Sequence, residues 1–122
     1  MSPFSQYLIE LRRRHGLRQG ELASLIGCEQ SYLSSVEVGL KGPPTSEFIE
    51  RLIEAIPLSA DDLLELESVI KASQRKFVLP LKADETLFRL ANRFWDRLQN
   101  LSPAQIRGIE ALLSIEDACM TQ

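Results

Sequence analysis

The chain has 122 residues, of which 44% are hydrophobic and 25% are charged, and its formal net charge is −3. This length suits one domain, or a small domain with an extension, and the composition is ordinary for a globular protein. No apolar run approaches the roughly 18 residues of a membrane span, and the N-terminal segment lacks the apolar core of a signal peptide. We therefore expect a cytoplasmic protein with no membrane association.

Cysteine and histidine are too few and too scattered for a disulfide framework or a metal centre. The two cysteines, Cys28 and Cys119, are far apart in the sequence, and His15 is the single histidine. Zinc sites need several such ligands at short spacings, and the acidic residues form no convergent catalytic set. We expect no metal, no cofactor and no enzymatic activity. A helix N-terminus can lower a thiol pKa, but we interpret Cys28 as a half-buried turn residue.

The negative charge is concentrated in the middle of the chain. Residues 46–70 carry one Lys or Arg against seven Asp or Glu, whereas residues 1–45 carry five against four. We interpret the acidic block as the solvated faces of two helices. The N-terminal part is close to neutral, so the global charge does not exclude nucleic acid as a partner.

The first three predicted helices cover roughly residues 4–15, 19–26 and 30–38. Apolar residues recur at helical spacing in each of them. Gly27, between the second and the third, can take the left-handed conformation that ends a helix and redirects the chain. Two helices that cross through such a tight turn form a helix-turn-helix unit. Their predicted apolar faces are Leu22, Ala23 and Ile26, and then Leu33 and Val36.

Two further helices complete the predicted N-terminal part. Residues 39–44 (GLKGPP) form a loop, because this density of Gly and Pro is incompatible with a helix. Thr45 caps the fourth helix, which Pro57 ends. Ser59 and Asp62 form a capping box that begins the fifth helix, which runs to about residue 73. The predicted buried face of the fourth helix consists of Phe48, Ile49, Leu52, Ile53 and Ile56.

The C-terminal part begins with a change in composition. Residues 76–82 (KFVLPLK) combine β-branched and aromatic residues with a proline, which predicts an extended connector. Asp84 caps a helix that runs to about residue 100. The segment Ser102-Pro103-Ala104-Gln105 combines a capping box with Pro at the first helical position, and predicts a last helix to about residue 117. We expect two parts, a domain of residues 1–75 and an extension of residues 76–122.

Residues 7–70 resemble the phage-repressor/Cro type of helix-turn-helix, also called XRE-like. The resemblance implies an all-α fold, with a five-helix lambda-repressor-like DNA-binding domain followed by a two-helix C-terminal extension. It also implies a dimeric repressor that binds a pseudo-palindromic operator in double-stranded DNA. The residues that carry it are Leu11-Arg12, Gly16-Leu17, Gln19, Glu21-Leu22-Ala23, Gly27, Leu33-Ser34, Glu37-x-Gly39 and Pro44.

The resemblance also implies roles for individual residues. The helix of residues 30–38 would enter the major groove, with Gln30, Ser31 and Ser34 as the base contacts. Arg12 and Glu37 match a pair that forms a salt bridge inside the domain. The helical pattern supports the same groove-facing side, because burial of the apolar face turns these polar side chains outward. Glutamine can also pair bidentately with adenine. The candidate phosphate contacts are Arg18, Gln19, Ser35, Lys41 and Thr45.

Several departures from the family pattern weaken the expected binding. Val38 replaces the polar residue that is common between Glu37 and Gly39, which removes one expected backbone contact. Gly20 stands where a helix-forming residue is usual, at a cost of roughly 1 kcal/mol relative to Ala. Glu29, at the start of the third helix, would repel phosphate unless it accepts a hydrogen bond from cytosine. The exposed face of that helix carries no Lys or Arg. We therefore expect modest intrinsic affinity and a reliance on dimerisation.

The two C-terminal helices have wide apolar faces, which predict a homodimer interface. Two other interpretations remain open. The chain could be an antitoxin-type autorepressor whose C-terminal extension binds a toxin, or a protein-interaction adaptor whose helix-turn-helix does not bind DNA. The candidate interface residues are Leu87, Phe88, Phe94, Trp95, Leu98, Ile106, Ile109 and Leu113.

Overall fold

The computed structural model describes residues 1–41 and 44–120, with side chains described up to residue 115. Within these residues it contains seven α-helices and no strand, which confirms the predicted all-α class. The predicted boundaries agree with the observed ones to within three residues. The helices are α1 (Pro3–Arg14), α2 (Gln19–Ile26), α3 (Gln30–Glu37), α4 (Ser46–Ala55), α5 (Ala60–Ala72), α6 (Glu85–Arg97) and α7 (Pro103–Met120), with a 3₁₀ turn at Leu98–Asn100.

The chain divides into two compact units, Met1–Phe77 and Val78–Gln122. The first contains α1 to α5, and the second contains α6, the 3₁₀ turn and α7. Part of the loop predicted for residues 39–44, namely Gly42 and Pro43, lies outside the described residues, as does the side chain of Cys119.

The core of the first unit is built from one or two leucines of every helix. In this unit α1 packs against α3 and α5, and α2 packs against α3 and α4. The rings of Phe4 and Phe48 meet edge to face with their centroids 6.3 Å apart, a favoured aromatic geometry. Burial of these side chains supplies the main driving force for folding of the unit. The buried leucines are Leu8, Leu11, Leu22, Leu33, Leu52 and Leu66.

The predicted helix starts form the expected capping hydrogen bonds. The Thr45 hydroxyl accepts from the Phe48 N–H at 3.1 Å. Ser59 and Asp62 cap each other's backbone N–H groups at 3.1 and 3.2 Å. The Asp84 carboxylate accepts from the Leu87 N–H at 2.9 Å. These side chains satisfy donors that a helix leaves unpaired in its first turn, which is why the starts were predictable from the sequence.

The predicted buried face of α4 was too wide. Phe48, Leu52 and Ile56 are buried and Ile49 is partly buried, but Ile53 is 40% exposed. Residues four apart on a helix lie above one another, so the three buried residues form a single stripe. Ile53 follows Leu52 by one position, which turns its side chain about 100° away from that stripe.

None of the described side chains of the second unit is buried, since the last buried residue among the described side chains is Ser73, in the first unit. The apolar side chains of α6 are therefore exposed or half-buried, including Phe94 at 40% and Trp95 at 56%. A capping box begins α7, in which Ser102 and Gln105 each accept the other's backbone N–H. None of the described helices is both long enough and apolar enough to cross a membrane.

Candidate nucleic-acid interface

The turn between α2 and α3 sets the direction of α3. Gly27 has a φ of +85°, a left-handed conformation that side chains other than glycine rarely adopt. Its N–H and that of Cys28 both donate to the Ala23 carbonyl, at 2.9 and 3.0 Å, which closes the end of α2. Beyond this turn α3 buries Leu33 and Val36 against the core.

The outward side of α3 carries the predicted base contacts. Gln30 and Ser31 are exposed, and Ser34 and Ser35 are half-buried. The Ser35 hydroxyl donates to the Ser31 carbonyl at 3.0 Å. A phosphate oxygen only accepts hydrogen bonds, so Ser35 would have to release this bond to contact phosphate.

A chain of hydrogen bonds connects Arg12 of α1 to Gln30 of α3 by way of Glu37 and Gln19. Arg12 donates from Nε to Glu37 Oε2 at 2.8 Å and from Nη2 to Glu37 Oε1 at 3.1 Å. Gln19 Nε2 donates to the same Oε1 at 3.1 Å. Gln30 Nε2 then donates to Gln19 Oε1 at 3.4 Å. The structure thus brings Arg12, Glu37, Gln19 and Gln30 together, although they come from three different helices.

This chain of hydrogen bonds favours one orientation of the Gln30 amide. Glu37 can only accept, so Gln19 directs its NH₂ group toward Glu37 and its carbonyl oxygen toward Gln30. Gln30 uses one of its two N–H groups on Gln19. Its second N–H and its Oε1 remain available, and this donor–acceptor pair matches N7 and N6 of adenine in the major groove.

The candidate phosphate contacts Arg18, Lys41 and Thr45 lie at the start of α2 and between α3 and α4. Arg18 is exposed at the start of α2, where its backbone N–H donates to Glu21 at 3.0 Å. Lys41 is exposed, with its Nζ 5.9 Å from the centre of the Tyr32 ring, a cation–π distance. Thr45 directly precedes α4, and its hydroxyl caps that helix. First-turn amides of a helix are suited to an anion such as phosphate.

Acidic side chains limit the positive charge of this surface. Glu29 is exposed immediately before α3, and Glu21 is exposed in the first turn of α2. Both would repel a DNA phosphate at close range. Arg18 and Lys41 are two exposed cations against these two carboxylates, so their formal charges cancel.

An open groove of about 340 Å³, which no sequence pattern indicates, lies beside α3. Cys28, Tyr32, Phe48 and Arg51 contribute to its lining. Burial raises the pKa of the Cys28 thiol, so the thiol is protonated at neutral pH and is a poor nucleophile. This agrees with the interpretation of Cys28 as a half-buried turn residue. The sequence-based predictions did not include Tyr32. The signal that could have identified it is an aromatic residue on the polar face of α3.

Comparison with known proteins identifies a matching family and related regulators. The model of the helix-turn-helix domain family matches residues 3–66. The uncharacterized HTH-type transcriptional regulator RghRB of Bacillus subtilis is 33% identical over 72 residues, which cover 59% of this chain and 52% of that protein. The HTH-type transcriptional regulator SinR of the same organism is 33% identical over 60 residues, which cover 49% of this chain and 54% of that protein.

The chain thus spans about half the length of the curated relatives it matches. No solved structure is significantly similar to it. The family match covers just over half of the chain and includes α1 to α4 and the first half of α5. The resemblance seen in the sequence is therefore confirmed, and the chain belongs to the helix-turn-helix domain family.

Proposed function

We propose that this protein is a sequence-specific DNA-binding transcriptional regulator that acts as a dimeric repressor in the cytoplasm. The observation that carries the proposal is the Gln30 amide, which lies on the outward face of α3 and is oriented by hydrogen bonds through Gln19 and Glu37. A preoriented amide on a rigid helix loses little freedom on contact with a base. It is therefore suited to recognition of an adenine edge in the major groove.

The remaining contacts follow from where α3 would lie. With its outward side in the groove, Ser31 and Ser34 would meet neighbouring base edges, which serine can contact as donor or acceptor. Arg18, Gln19, Lys41 and the first-turn amides of α4 would meet the phosphates on either side and set the register. The names of RghRB and SinR support this assignment, because both are HTH-type transcriptional regulators.

A second copy of the chain is the proposed partner of the second unit. The apolar side chains of α6 lie along one side of the helix, and no charged residue lies on that side. A two-fold interface places the same patch of both subunits face to face, so a patch without charge can meet itself without repulsion. We therefore assign dimerisation to α6 and α7. The apolar side chains of this face on α6 are Leu87, Phe88, Leu90, Ala91, Phe94, Trp95 and Leu98.

A two-fold dimer implies a two-fold operator. Each α3 would occupy one half of a pseudo-palindrome, with half-site centres about 10 bp apart. The proposed mechanism of repression is steric, by occupation of a site that overlaps a promoter. The neutral character of the surface around α3 makes pairing of two such surfaces important for affinity.

Binding to DNA is tested with variants of α3. We expect Gln30→Ala and Ser34→Ala to weaken binding to selected operator DNA and to relax the preference at separate base pairs by about 1–3 kcal/mol each. Ser24→Ala, on the exposed side of α2, is the matched control and should bind as the parent does. Unchanged affinity and preference in both α3 variants would contradict the proposed role of α3.

Salt dependence separates this function from that of a protein-interaction adaptor. Specific DNA binding should weaken steeply as salt rises, because counterions released from phosphate contribute to the affinity.

Removal of residues 78–122 should leave a monomer with its core intact, as measured by sedimentation equilibrium. A truncated protein that remains a dimer would contradict the assigned interface. A small protein that binds α6 and α7 in place of a second copy would favour the antitoxin interpretation.

A further inference from the structure

Gly20, the second residue of α2, lies directly against the amide of Gln30. A Cβ atom built on Gly20 would stand 3.2 Å from Gln30 Oε1 and 3.7 Å from Gln30 Cδ. From this contact we infer that Gly20 determines base specificity, because its missing side chain provides the space in which the Gln30 amide lies. The inference rests on the proposed function and extends it to a residue outside α3.

The backbone of Gly20 gives no other reason for a glycine. The glycines with positive φ in the described residues are Gly16, Gly27 and Gly39, so Gly20 has a backbone conformation that alanine adopts readily. Glycine inside a helix is less favourable than alanine because it loses more conformational freedom on folding. The close approach of Gln30 is therefore the structural feature that a side chain at position 20 would disturb.

Small displacements of Gln30 are important because its proposed contact needs two hydrogen bonds at once. A contact of 3.2 Å is tighter than the ordinary 3.4–4 Å range, so a Cβ would push the amide away by a few tenths of an ångström. The bond from Gln30 to Gln19 is already 3.4 Å long and would weaken further. A bidentate pair requires both heavy-atom distances to stay near 2.7–3.2 Å, so a displaced amide would lose part of its discrimination between bases.

The test is a double-mutant cycle of Gly20→Ala and Gln30→Ala in the full chain. Bound sequences are selected from random DNA for all four proteins, and dissociation constants are then measured for the preferred site and its single-base variants. We expect Gly20→Ala to reduce discrimination at the base pair that depends on Gln30 by fivefold or more, the lower end of what a bidentate contact contributes. In the Gln30→Ala background it should change nothing at that base pair, because no amide is left to displace.

A direct effect of Gly20 on DNA has a different outcome. If the alanine methyl group blocked the DNA backbone, Gly20→Ala would weaken binding to all sequences equally and in both backgrounds, which would overturn the inference. Ser24→Ala, which also increases helix propensity in α2 from an exposed position, is the control and should leave base preference unchanged. An unchanged base preference in Gly20→Ala would overturn the inference as well.

Thermal unfolding of the same four proteins tests the packing without DNA. Gly20→Ala should raise the midpoint by a few degrees in the Gln30→Ala background, and by less in the parent, where the methyl group meets the amide. Equal increases in both backgrounds would refute the proposed contact. A parent protein that binds no DNA sequence preferentially would contradict the proposed function, whereas a parent with a clear preference that Gly20→Ala leaves intact would contradict this inference alone.

Discussion

Arg12 holds the carboxylate of Glu37 with two hydrogen bonds, and Glu37 is only 3% exposed. The pair joins α1 to the last residue of α3. Because Glu37 also accepts from Gln19, the same salt bridge supports the hydrogen-bond chain that orients Gln30. Stability of the domain and orientation of the proposed base contact thus depend on one carboxylate.

We expect Arg12→Ala to lower the free energy of unfolding by on the order of 3 kcal/mol, because it leaves the buried Glu37 without its cation. Urea denaturation measures the loss. Arg13→Ala, the exposed neighbour on the same helix, should change stability by less than about 0.5 kcal/mol. A double variant with Met at position 12 and Leu at position 37 should recover much of the loss, because it removes both charges together. Equal effects of the variants at positions 12 and 13 would rule out a structural role for the pair.

We expect Leu33→Ala to destabilise the first unit by about 2–5 kcal/mol, because it removes a fully buried side chain and leaves a cavity between the helices. Leu25→Ala is the matched control, since Leu25 lies on α2 but is 55% exposed, and it should cost much less. The same denaturation experiment compares them. A loss below about 1 kcal/mol for Leu33→Ala would be inconsistent with the observed core.

The helices could be predicted from the sequence because their signals are local. Capping side chains such as Thr45 and Ser59 act within four residues, and apolar periodicity marks each buried stripe. The error at Ile53 arose because an apolar residue beside a buried stripe has the same composition signal as a buried one. Only tertiary packing decides which side of such a helix is covered.

The candidate site was predictable in part, for the same reason. The outward direction of Gln30 follows from the buried positions of Leu33 and Val36, which the pattern of α3 already indicates. The orientation of its amide depends on Gln19 and Glu37, which are 11 and 7 residues away in sequence, and the space for it depends on Gly20. Such contacts between helices leave no periodic signal. From the sequence, Gly20 could be interpreted only as a weak start of α2, whereas in the structure it lies against the Gln30 amide.

The acid stability of the domain should depend on Asp62. The Ser59 N–H, with Arg14 at 3.3 Å, holds the pKa of the Asp62 carboxyl below its ordinary value. A lowered pKa in the folded state means that this carboxylate stabilises the protein above the pKa of the unfolded chain, near pH 4. That contribution is lost as the pH falls through the folded-state pKa.

We therefore expect Asp62→Asn to lower the unfolding temperature at pH 7 and to have a smaller effect near pH 3, below the pKa of the unfolded chain. Asparagine can still accept a hydrogen bond from Ser59, so the comparison isolates the charge. Asp61→Asn, a change at the exposed neighbouring residue, is the control. Thermal unfolding at both pH values gives the result. A difference between Asp62→Asn and the parent that stays constant with pH would contradict the assignment.

The proposed dimer predicts a strong effect of charge on the apolar side of α6. Trp95 is 56% exposed in the single chain, and Trp side chains often dominate the energy of an interface. We expect Trp95→Glu to weaken self-association by about 100-fold or more, because dimerisation would then bury two like charges without partners.

Sedimentation equilibrium measures this association directly. Arg93→Glu reverses a charge on the polar side of the same helix, so it should leave the dimer largely intact and serve as the matched control. The Trp95→Glu monomer should still prefer the half-site sequence, because α3 is unchanged, but it should lose the additional affinity for the full palindrome that paired binding provides. A Trp95→Glu protein that dimerises as strongly as the parent would place the interface elsewhere on the chain.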